Sequence, residues 1–470
     1  MIVLLISCVL YSCSSFNYHD ANKITVAGKI CGIESGELKI SSFLELEEMV
    51  TDNINKEGCF NLTFNKNESG YFFLLGAGIQ APLFLKPGDS IYITFDIKDL
   101  EGTYKASGDM AKEALYLMEL KKKLAVPDFN FPYVLHLAKE RNTYFAKLDT
   151  VVKSMELSYD SLRFTEGINK EFLAVQKAQI KYWVLNQERM FPVHHRRITG
   201  LNQTDEIDFD EKKTWEKIAA VDFDTPILLK SLGGFDLLSS YINRSVLEII
   251  ERDHNGQVAE DEFLEITFGV TDSLVAKARI RDHVKYVALK SSMEIHSPFK
   301  FSGLANQFLS ENSFQPYSEK ITTILENWDP IAPGMEVPDF GFTDVKDNEV
   351  RLSELPAKMI YIKIWATWCG PCREEQPHWD KLMEEYNSSD IAFLSISIDN
   401  SRTPWENMVN EKMMGGYNWF AENAWQAEIV EHFKIIEIPR YILLDEEKRI
   451  IDSAAEKPSG NIRDVFEKCL

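Results

Sequence analysis

The sequence IWATWCGPCREEQP, residues 364–377, places two cysteines two residues apart directly after an apolar run. The run from Met359 to Trp365 is rich in β-branched and aromatic residues, which indicates a buried strand, and the segment from Arg373 to Asn387 has a helical pattern. The local order is therefore strand, turn, helix, with both cysteines in the turn.

The two cysteines occupy different places in this turn. Cys369 lies at the predicted helix N-terminus, where free backbone N–H groups and the positive end of the helix dipole stabilise a thiolate relative to a thiol. Cys372, one helical turn further along, lies on the same face and can close a disulfide with Cys369, while Pro371 stiffens the turn between them. We therefore expect Cys369 to be the attacking sulfur.

A Cys-x-x-Cys pair can also be half of a zinc site. A structural zinc site needs four ligands, and the sequence contains neither a second Cys-x-x-Cys pair nor a His-x(3-5)-His pair. The spacing therefore favours a redox-active pair, and we predict no metal.

The residues around the pair resemble a known family. Trp368-Cys369-Gly370-Pro371-Cys372 resembles the active site of thioredoxins, and Pro338-Asp339-Phe340 and Leu352-Ser353-Glu354-Leu355 resemble the "PDF" strand and the "L-S-E-L" turn of the TlpA and ResA type of envelope thioredoxins. This resemblance implies a C-terminal α/β thioredoxin-like fold and thiol-disulfide oxidoreductase activity. It also implies a Cys369–Cys372 disulfide and no cofactor.

The resemblance extends to the substrate side of the site. In thioredoxin-like folds a cis proline opens a strand that faces the active-site turn, and Ile438-Pro439 matches that position. The exposed backbone there can pair with a substrate segment as an added β-strand. The resemblance assigns a catalytic role to Pro439 and substrate contacts to four residues: Trp368, Gly370, Pro371 and Ile438.

One position departs from the family pattern. Thioredoxins carry a buried Asp six residues before the first cysteine, and here that position is Lys363. Relatives that lack the Asp use a Glu three residues after the second cysteine, so we expect Glu375 to move the proton of Cys372. For Lys363 two arrangements remain open, an ion pair with Glu375 or a lysine head that reaches water.

The N-terminus resembles a bacterial lipoprotein signal. Residues 1–12 are apolar and precede Cys13, which we expect to be lipidated; Cys8 also fits, but leaves an apolar core shorter than the ~7 to 15 residues of such signals. The first residues lack the usual Lys or Arg. The resemblance implies a lipid anchor on the periplasmic side of the cell envelope.

Three segments follow the predicted signal 1–13. Alternation with a period of two predicts a small antiparallel β domain over 22–107, and helical periodicity predicts an all-α domain of about six to ten helices over 108–330. Turn residues then lead into the thioredoxin-like domain 333–470. We therefore predict a multidomain protein, in which the helical segment gives no indication of its own activity.

Charge restricts the partners. The 470 residues include 73 Asp and Glu against 51 Lys and Arg, a formal net charge of −22. Such an acidic surface repels phosphate backbones, so nucleic acid is an unfavourable partner. No internal stretch approaches the ~20 apolar residues of a membrane-spanning helix.

These patterns together predict a thiol-disulfide oxidoreductase that reduces protein disulfides and receives electrons from a redox donor thiol protein. Two alternatives remain. The chain could be a binding or assembly lipoprotein whose C-terminal domain is redox-regulated, or a thiol peroxidase. Peroxidases of the related type use a lone cysteine in a Pro-x-x-x-Thr-x-x-Cys setting, which the Trp-Cys-x-x-Cys sequence does not match.

Overall fold

The computed structural model of the protein describes residues 22–44, 48–124, 140–202, 205–386 and 390–469. The predicted signal, with Cys13, lies outside these ranges. The described chain forms two compact units: unit 1 runs up to Gln257 and includes Val270–Ile280, and unit 2 comprises Val258–Gly269 and the chain from Arg281 onward. The predicted helical segment 108–330 is therefore divided between the two units.

Unit 1 begins with two four-stranded sheets, ordered β4-β1-β7-β8 and β3-β2-β5-β6. Their strands are β1 Lys23–Cys31, β2 Gly36–Ser42, β3 Glu48–Ile54, β4 Cys59–Asn65, β5 Gly70–Gly76, β6 Ile79–Leu85, β7 Ser90–Asp96 and β8 Lys105–Gly108. Burial alternates along the strands, as Phe60, Leu62 and Phe64 of β4 show. The predicted N-terminal β structure is confirmed.

One strand pair differs from the predicted antiparallel arrangement. β1 pairs antiparallel with β4 but parallel with β7, so that Thr25 lies opposite Ser90 and Ile30 opposite Phe95. Side chains alternate with a period of two in both kinds of sheet. The sequence pattern therefore could not distinguish the two directions.

Helices follow the strands. Up to residue 328 the described ranges contain α1 Leu100–Thr103, α2 Ala111–Leu124, α3 Arg141–Arg163, α4 Lys170–Thr199, α5 Glu211–Ala219, α6 Gly234–His254, α7 Glu260–Leu274, α8 Ala278–Ile295, α9 Ser302–Glu311 and α10 Gln315–Trp328. In unit 1, Leu117 of α2 and Phe172 of α4 share a core with the strands, and the Phe172 ring lies 5.2 Å from that of Phe84. Sheet and helices therefore bury one apolar core together.

Unit 2 contains a seven-stranded mixed sheet, ordered β10-β9-β13-β12-β11-β14-β15. Its strands are β9 Gly341–Asp344, β10 Glu349–Arg351, β11 Met359–Trp365, β12 Ile391–Ser397, β13 Tyr417–Phe420, β14 Arg440–Asp445 and β15 Ile450–Asp452. The helices that follow the start of β11 are α11 Gly370–Glu374, α12 Gln376–Glu385, α13 Arg402–Glu411, α14 Glu428–His432 and α15 Ile462–Cys469.

Strand β11 lies in the interior of this sheet, between β12, to which it runs parallel, and β14, to which it runs antiparallel. Every residue of β11 and of β12 is buried, because the sheet is covered on both faces. On one face Tyr361 packs with Trp379 and Phe466, and on the other Ile362 and Ile364 pack with Phe433. A rigid, fully buried strand thus leads directly into the cysteine turn.

Candidate redox site

The two cysteines lie where β11 ends and α11 begins. They are joined by a disulfide of 2.01 Å, so this is the oxidised form of the pair. Cys369 occupies the N-cap position of α11, and the backbone N–H of Cys372 donates to Cys369 Sγ at 3.1 Å. A thiolate at Cys369 would accept the same N–H, which is the physical basis for a lowered thiol pKa at a helix N-terminus.

Accessibility differs around the turn. Cys369 is 4% exposed and Cys372 1%, whereas the neighbouring Trp368 is 54% exposed. The Trp368 ring lies 6.3 Å from the ring of Trp425, which comes from the segment after β13. Two indole rings therefore form an aromatic surface beside the disulfide.

The Ile438–Pro439 peptide is cis and directly precedes β14. The carbonyl oxygen of Ile438 lies 3.6 Å from Cys369 Sγ. The structure therefore brings together Cys369, Ile438 and the start of β14, as the resemblance implied. Pro371 is exposed and Gly370 half-buried on the same turn.

The sequence reasoning missed Asp399, which follows β12. Its carboxylate accepts hydrogen bonds from the backbone N–H of Thr367 at 3.0 Å and from Thr367 Oγ1 at 2.7 Å, and it is only 3% exposed. Ser397 Oγ donates to the same carboxylate at 2.7 Å. Asp399 thus fixes the backbone two residues before Cys369. A carboxylate at the end of a buried strand was the available signal.

Lys363 lies on β11 and is fully buried, with 0% exposure. Its Nζ donates to Gln376 Oε1 at 2.7 Å and lies 4.5 Å from the ring centre of Trp379. Both predicted arrangements are therefore wrong, since the ammonium neither pairs with Glu375 nor reaches water. The reason is that α12 covers this part of β11, so the side chain ends beneath the helix.

Burial lowers the pKa of Lys363 to about 7, and the negative charge of Asp380 opposes that shift. Asp380 is connected to Lys363 through Gln376, because Gln376 Nε2 donates to Asp380 Oδ1 at 2.7 Å. The side-chain carbonyl of Gln376 therefore accepts from Lys363, and its NH₂ group donates to Asp380. Lys363 is a titratable group near neutral pH on the strand that carries the redox turn.

Glu375 is held by the segment before α15. Its carboxylate accepts from Ser459 N at 3.1 Å and Ser459 Oγ at 2.7 Å, and Lys457 Nζ lies 3.8 Å away. Burial raises the pKa of Tyr441, and the charge of Glu375 raises it further, which places this carboxylate close to the second residue of β14. No pattern in residues 457–459 indicated this contact.

None of the helices in the described ranges is both long and apolar enough to cross a membrane. No cluster of three or more His, Cys, Asp or Glu side chains there has the arrangement needed to hold a metal ion.

Known proteins resemble the C-terminal part of the chain. The family model described as Redoxin matches residues 332–468. The thiol-disulfide oxidoreductase ResA of Bacillus thuringiensis subsp. konkukian is 25% identical over 136 residues, which are 29% of this chain and 77% of that protein. ResA of Bacillus subtilis is 21% identical over 121 residues, 26% of this chain and 66% of that protein.

Solved structures match the same region. The thioredoxin domain of a thiol-disulfide oxidoreductase from Bacteroides vulgatus is 22% identical and covers 29% of this chain and 96% of its own, with a TM-score of 0.27. A thiol-disulfide oxidoreductase from Bacteroides fragilis is 21% identical and covers 29% of this chain and 99% of its own, with a TM-score of 0.26.

The redoxin match, the ResA relatives and the cysteine turn define the class: this is a multidomain thioredoxin-like thiol-disulfide oxidoreductase. Within that class the chain belongs to the TlpA and ResA type, with the redox domain at its C-terminal end.

Proposed function

We propose that the protein reduces disulfides of other proteins in the bacterial cell envelope through Cys369 and Cys372. The main support is geometric: Cys369 Sγ lies at a helix N-cap and 3.6 Å from the Ile438 carbonyl at the start of β14. In this position Cys369 Sγ can exchange with a substrate disulfide while the substrate backbone pairs with the start of β14. Trp368, Gly370 and Pro371 form the rest of the proposed contact surface.

The proposed reaction has two exchange steps. The Cys369 thiolate attacks one sulfur of the substrate disulfide, so that a mixed disulfide forms and the other substrate sulfur leaves as a thiolate that takes up a proton. The Cys372 thiolate then attacks Cys369 Sγ and releases the second substrate thiol. Two electrons pass to the substrate, the Cys369–Cys372 disulfide forms, and a donor dithiol protein restores the reduced pair.

The second step needs a base, because Cys372 must lose its proton before it attacks. Glu375 is our proposed proton acceptor. It is one turn from Cys372 in sequence, and its side chain retains 14% exposure, which gives the proton a route to water. The Gly-Pro pair between the cysteines resembles reducing thioredoxins and favours reduction over oxidation.

The proposed location rests on the sequence. The apolar residues 1–12 before Cys13 resemble a lipoprotein signal, so we propose that Cys13 carries a lipid and that the chain is anchored to a membrane on the periplasmic side. One lipid group gives weak membrane binding and two or more give stable anchoring. Pro439 and Ile438 would then face protein substrates in that compartment.

Substitution of each cysteine tests the roles. In the full chain Cys369→Ser should abolish insulin reduction, whereas Cys372→Ser should still attack and should accumulate a mixed disulfide visible on non-reducing gels. Cys31→Ser is the matched control, since Cys31 is an exposed free cysteine at the end of β1 in unit 1, and it should reduce insulin like the wild type. Wild-type protein that fails to reduce insulin would favour the binding or assembly alternative, and preferential trapping through Cys372 would reverse the assigned roles.

A further inference from the structure

Unit 1 contains a cavity of about 240 Å³ whose lining includes no residue of the cysteine turn. Its walls come from four stretches: residues 42–44 at the end of β2, residues 66–72 from the loop after β4 into β5, residues 226–230, and residues 277–280 at the start of α8. All four belong to unit 1. Small-molecule sites typically occupy ~300–1,000 Å³, so a ligand here would have to be small.

The inner wall of the cavity is apolar. Phe72 is 1% exposed, Ile280 2% and Leu229 8%, and the half-buried Phe43 completes this surface. Phe72 is held from behind by Phe64, whose ring lies 5.2 Å away. Such a wall favours a hydrocarbon or aromatic part of a ligand, because removing apolar surface from water is favourable.

The rim of the cavity is basic. Its charged residues are one acidic side chain, Glu68, and four basic ones: Lys66, Lys230, Lys277 and Arg279. This composition is the reverse of the whole chain, in which acidic residues exceed basic ones by 22. A positive rim on an acidic protein attracts anions to one place.

Two of the basic side chains are held in position by carboxylates. Lys230 Nζ donates to Glu171 at 2.5 Å and to Ser69 Oγ at 2.8 Å, and Arg279 pairs with Glu68 at 3.0 Å. Burial raises the pKa of Glu171, but hydrogen bonds from Lys230 and Ser69 lower it by more, so the carboxylate stays ionised. These pairs orient the rim and balance part of its charge.

Lys277 is different, because no carboxylate within the described ranges lies at salt-bridge distance from its Nζ. Only its backbone is fixed, by the hydrogen bond from Lys277 N to Asp224 Oδ1 at 2.8 Å. The ammonium is exposed at the rim. It can therefore pair with an incoming anion without first breaking an ion pair.

We propose that this cavity binds a small amphipathic carboxylate, with its apolar part against Phe72, Leu229 and Ile280 and its carboxylate at the basic rim beside Lys277. Both halves of the site are needed for this assignment. The apolar wall alone would take any neutral hydrocarbon ligand, and the basic rim alone would take any anion. The combination selects a ligand with a hydrocarbon body and one anionic end.

Gly70 allows the cavity to be filled without disturbing its walls. It lines the cavity, a Cβ placed on it meets no atom within 4 Å, and it lies on the same face of β5 as Phe72, two residues away. Gly70→Leu should therefore occupy the cavity from the strand side. The matched control is Gly303→Leu on α9 in unit 2, where a Cβ likewise meets nothing within 4 Å.

The experiment is calorimetric titration of the full chain with octanoate, and with octylammonium as a probe of the same tail and opposite charge. Octanoate should bind saturably at one site per chain, Gly70→Leu should abolish this binding, and Gly303→Leu should leave it unchanged. Lys277→Glu should weaken octanoate about fivefold or more, whereas Lys56→Glu, an exposed lysine elsewhere in unit 1, should have no effect.

Several results would overturn the proposal. They are the absence of saturable octanoate binding, equal binding by Gly70→Leu and wild type, and octylammonium binding as tight as that of octanoate. Far-ultraviolet circular dichroism of each variant establishes that it is folded. If Gly70→Leu does not fold, the comparison of Lys277→Glu with Lys56→Glu tests the proposal. Equal octanoate affinities of these two variants would show that the basic rim does not bind the carboxylate.

Discussion

At the scale of single residues, Lys363 is the most unusual feature of the redox domain. A lysine ammonium has three donors, and here Gln376 Oε1 accepts one of them while Trp379 and Trp365 offer ring faces at 4.5 and 5.4 Å. Ring faces stabilise a cation, but the loss of hydration on burial destabilises the ammonium by more than these contacts stabilise it. This is why the pKa of Lys363 falls to about 7.

The lowered pKa predicts how stability depends on pH. In the unfolded chain a lysine titrates at about 10.4. Between pH 7 and that value the unfolded state therefore binds more protons than the folded state, and the free energy of unfolding rises with pH. Lys363→Met removes this contribution. The advantage of Lys363→Met over wild type should therefore be largest at pH 6 and should shrink by up to ~1.4 kcal/mol per pH unit between about pH 7 and 9.

Urea denaturation of the oxidised proteins at several pH values measures this difference. Lys412→Met is the control, because Lys412 is exposed on the same domain and should change stability by a small amount that does not vary with pH. A constant difference between Lys363→Met and wild type over this range would show that Lys363 does not titrate there.

Glu375 and its neighbour Glu374 provide a matched pair for the proton-transfer step. Glu375→Gln keeps the shape of the side chain but removes the titrating group, so resolution of the mixed disulfide by Cys372 should slow by ~10²- to 10⁴-fold. The first attack by Cys369 should change much less, since its thiolate is stabilised by the helix N-terminus. Stopped-flow tryptophan fluorescence, with Trp365 and Trp368 as reporters, follows both steps.

Glu374→Gln makes the same chemical change one residue earlier, at an exposed position, and should resolve at the wild-type rate. Equal resolving rates for Glu375→Gln and wild type would remove Glu375 from the mechanism. Equal slowing of resolution in Glu374→Gln and Glu375→Gln would show that the rate depends on the negative charge of this segment and not on Glu375 as a specific base.

At the scale of elements, the redox turn is fixed by a neighbouring strand. Asp399, just beyond β12, accepts hydrogen bonds from Thr367 N, Thr367 Oγ1 and Ser397 Oγ. Asp399→Ala would leave the buried Ser397 hydroxyl and the two half-buried Thr367 donors without this acceptor, and should lower the free energy of unfolding by about 1–3 kcal/mol. Asp399→Asn, which retains one carbonyl oxygen, should fall between wild type and alanine.

Asp390, just before the same strand, supplies the control for this prediction. Its side chain is 59% exposed and pairs with Lys358 at 2.5 Å, and exposed pairs contribute ~0–1 kcal/mol. Asp390→Ala should therefore change the denaturation midpoint only slightly. An Asp399→Ala variant as stable as Asp390→Ala would mean that the turn does not depend on this carboxylate.

The contrast between local and distant contacts explains what the sequence could predict. The strand, the turn and the order of Cys369 and Cys372 follow from neighbouring residues, and the N-terminal β sheets follow from alternation. Asp399 and Ser459 are 32 and 84 residues away from Thr367 and Glu375, the residues they bind, and no local period reports such pairs. The surroundings of Lys363 were predicted wrongly because its partner, Gln376, is brought to it by the packing of α12 on the sheet, which the local sequence does not report.

At the scale of the whole molecule, the helical segment contributes to the core of the redox domain. Trp328 at the end of α10 is 6% exposed, and Ile331 is 0% exposed. Both belong to the apolar cluster that contains Ile362 and Ile364 of β11. A domain that begins at residue 333, where the sequence placed its start, therefore lacks two side chains of its own core.

This predicts that a fragment of residues 258–470, which includes all of unit 2, is more stable than a fragment of residues 333–470. Truncating a buried tryptophan or isoleucine costs about 2–5 kcal/mol each, a large share of the ~5–15 kcal/mol that stabilises a typical domain. The double variant Trp328→Ala, Ile331→Ala in fragment 258–470 should reproduce most of the loss, because it removes the same side chains and retains the chain. Urea midpoints that agree among all three proteins would show that the core of the redox domain is complete without these two residues.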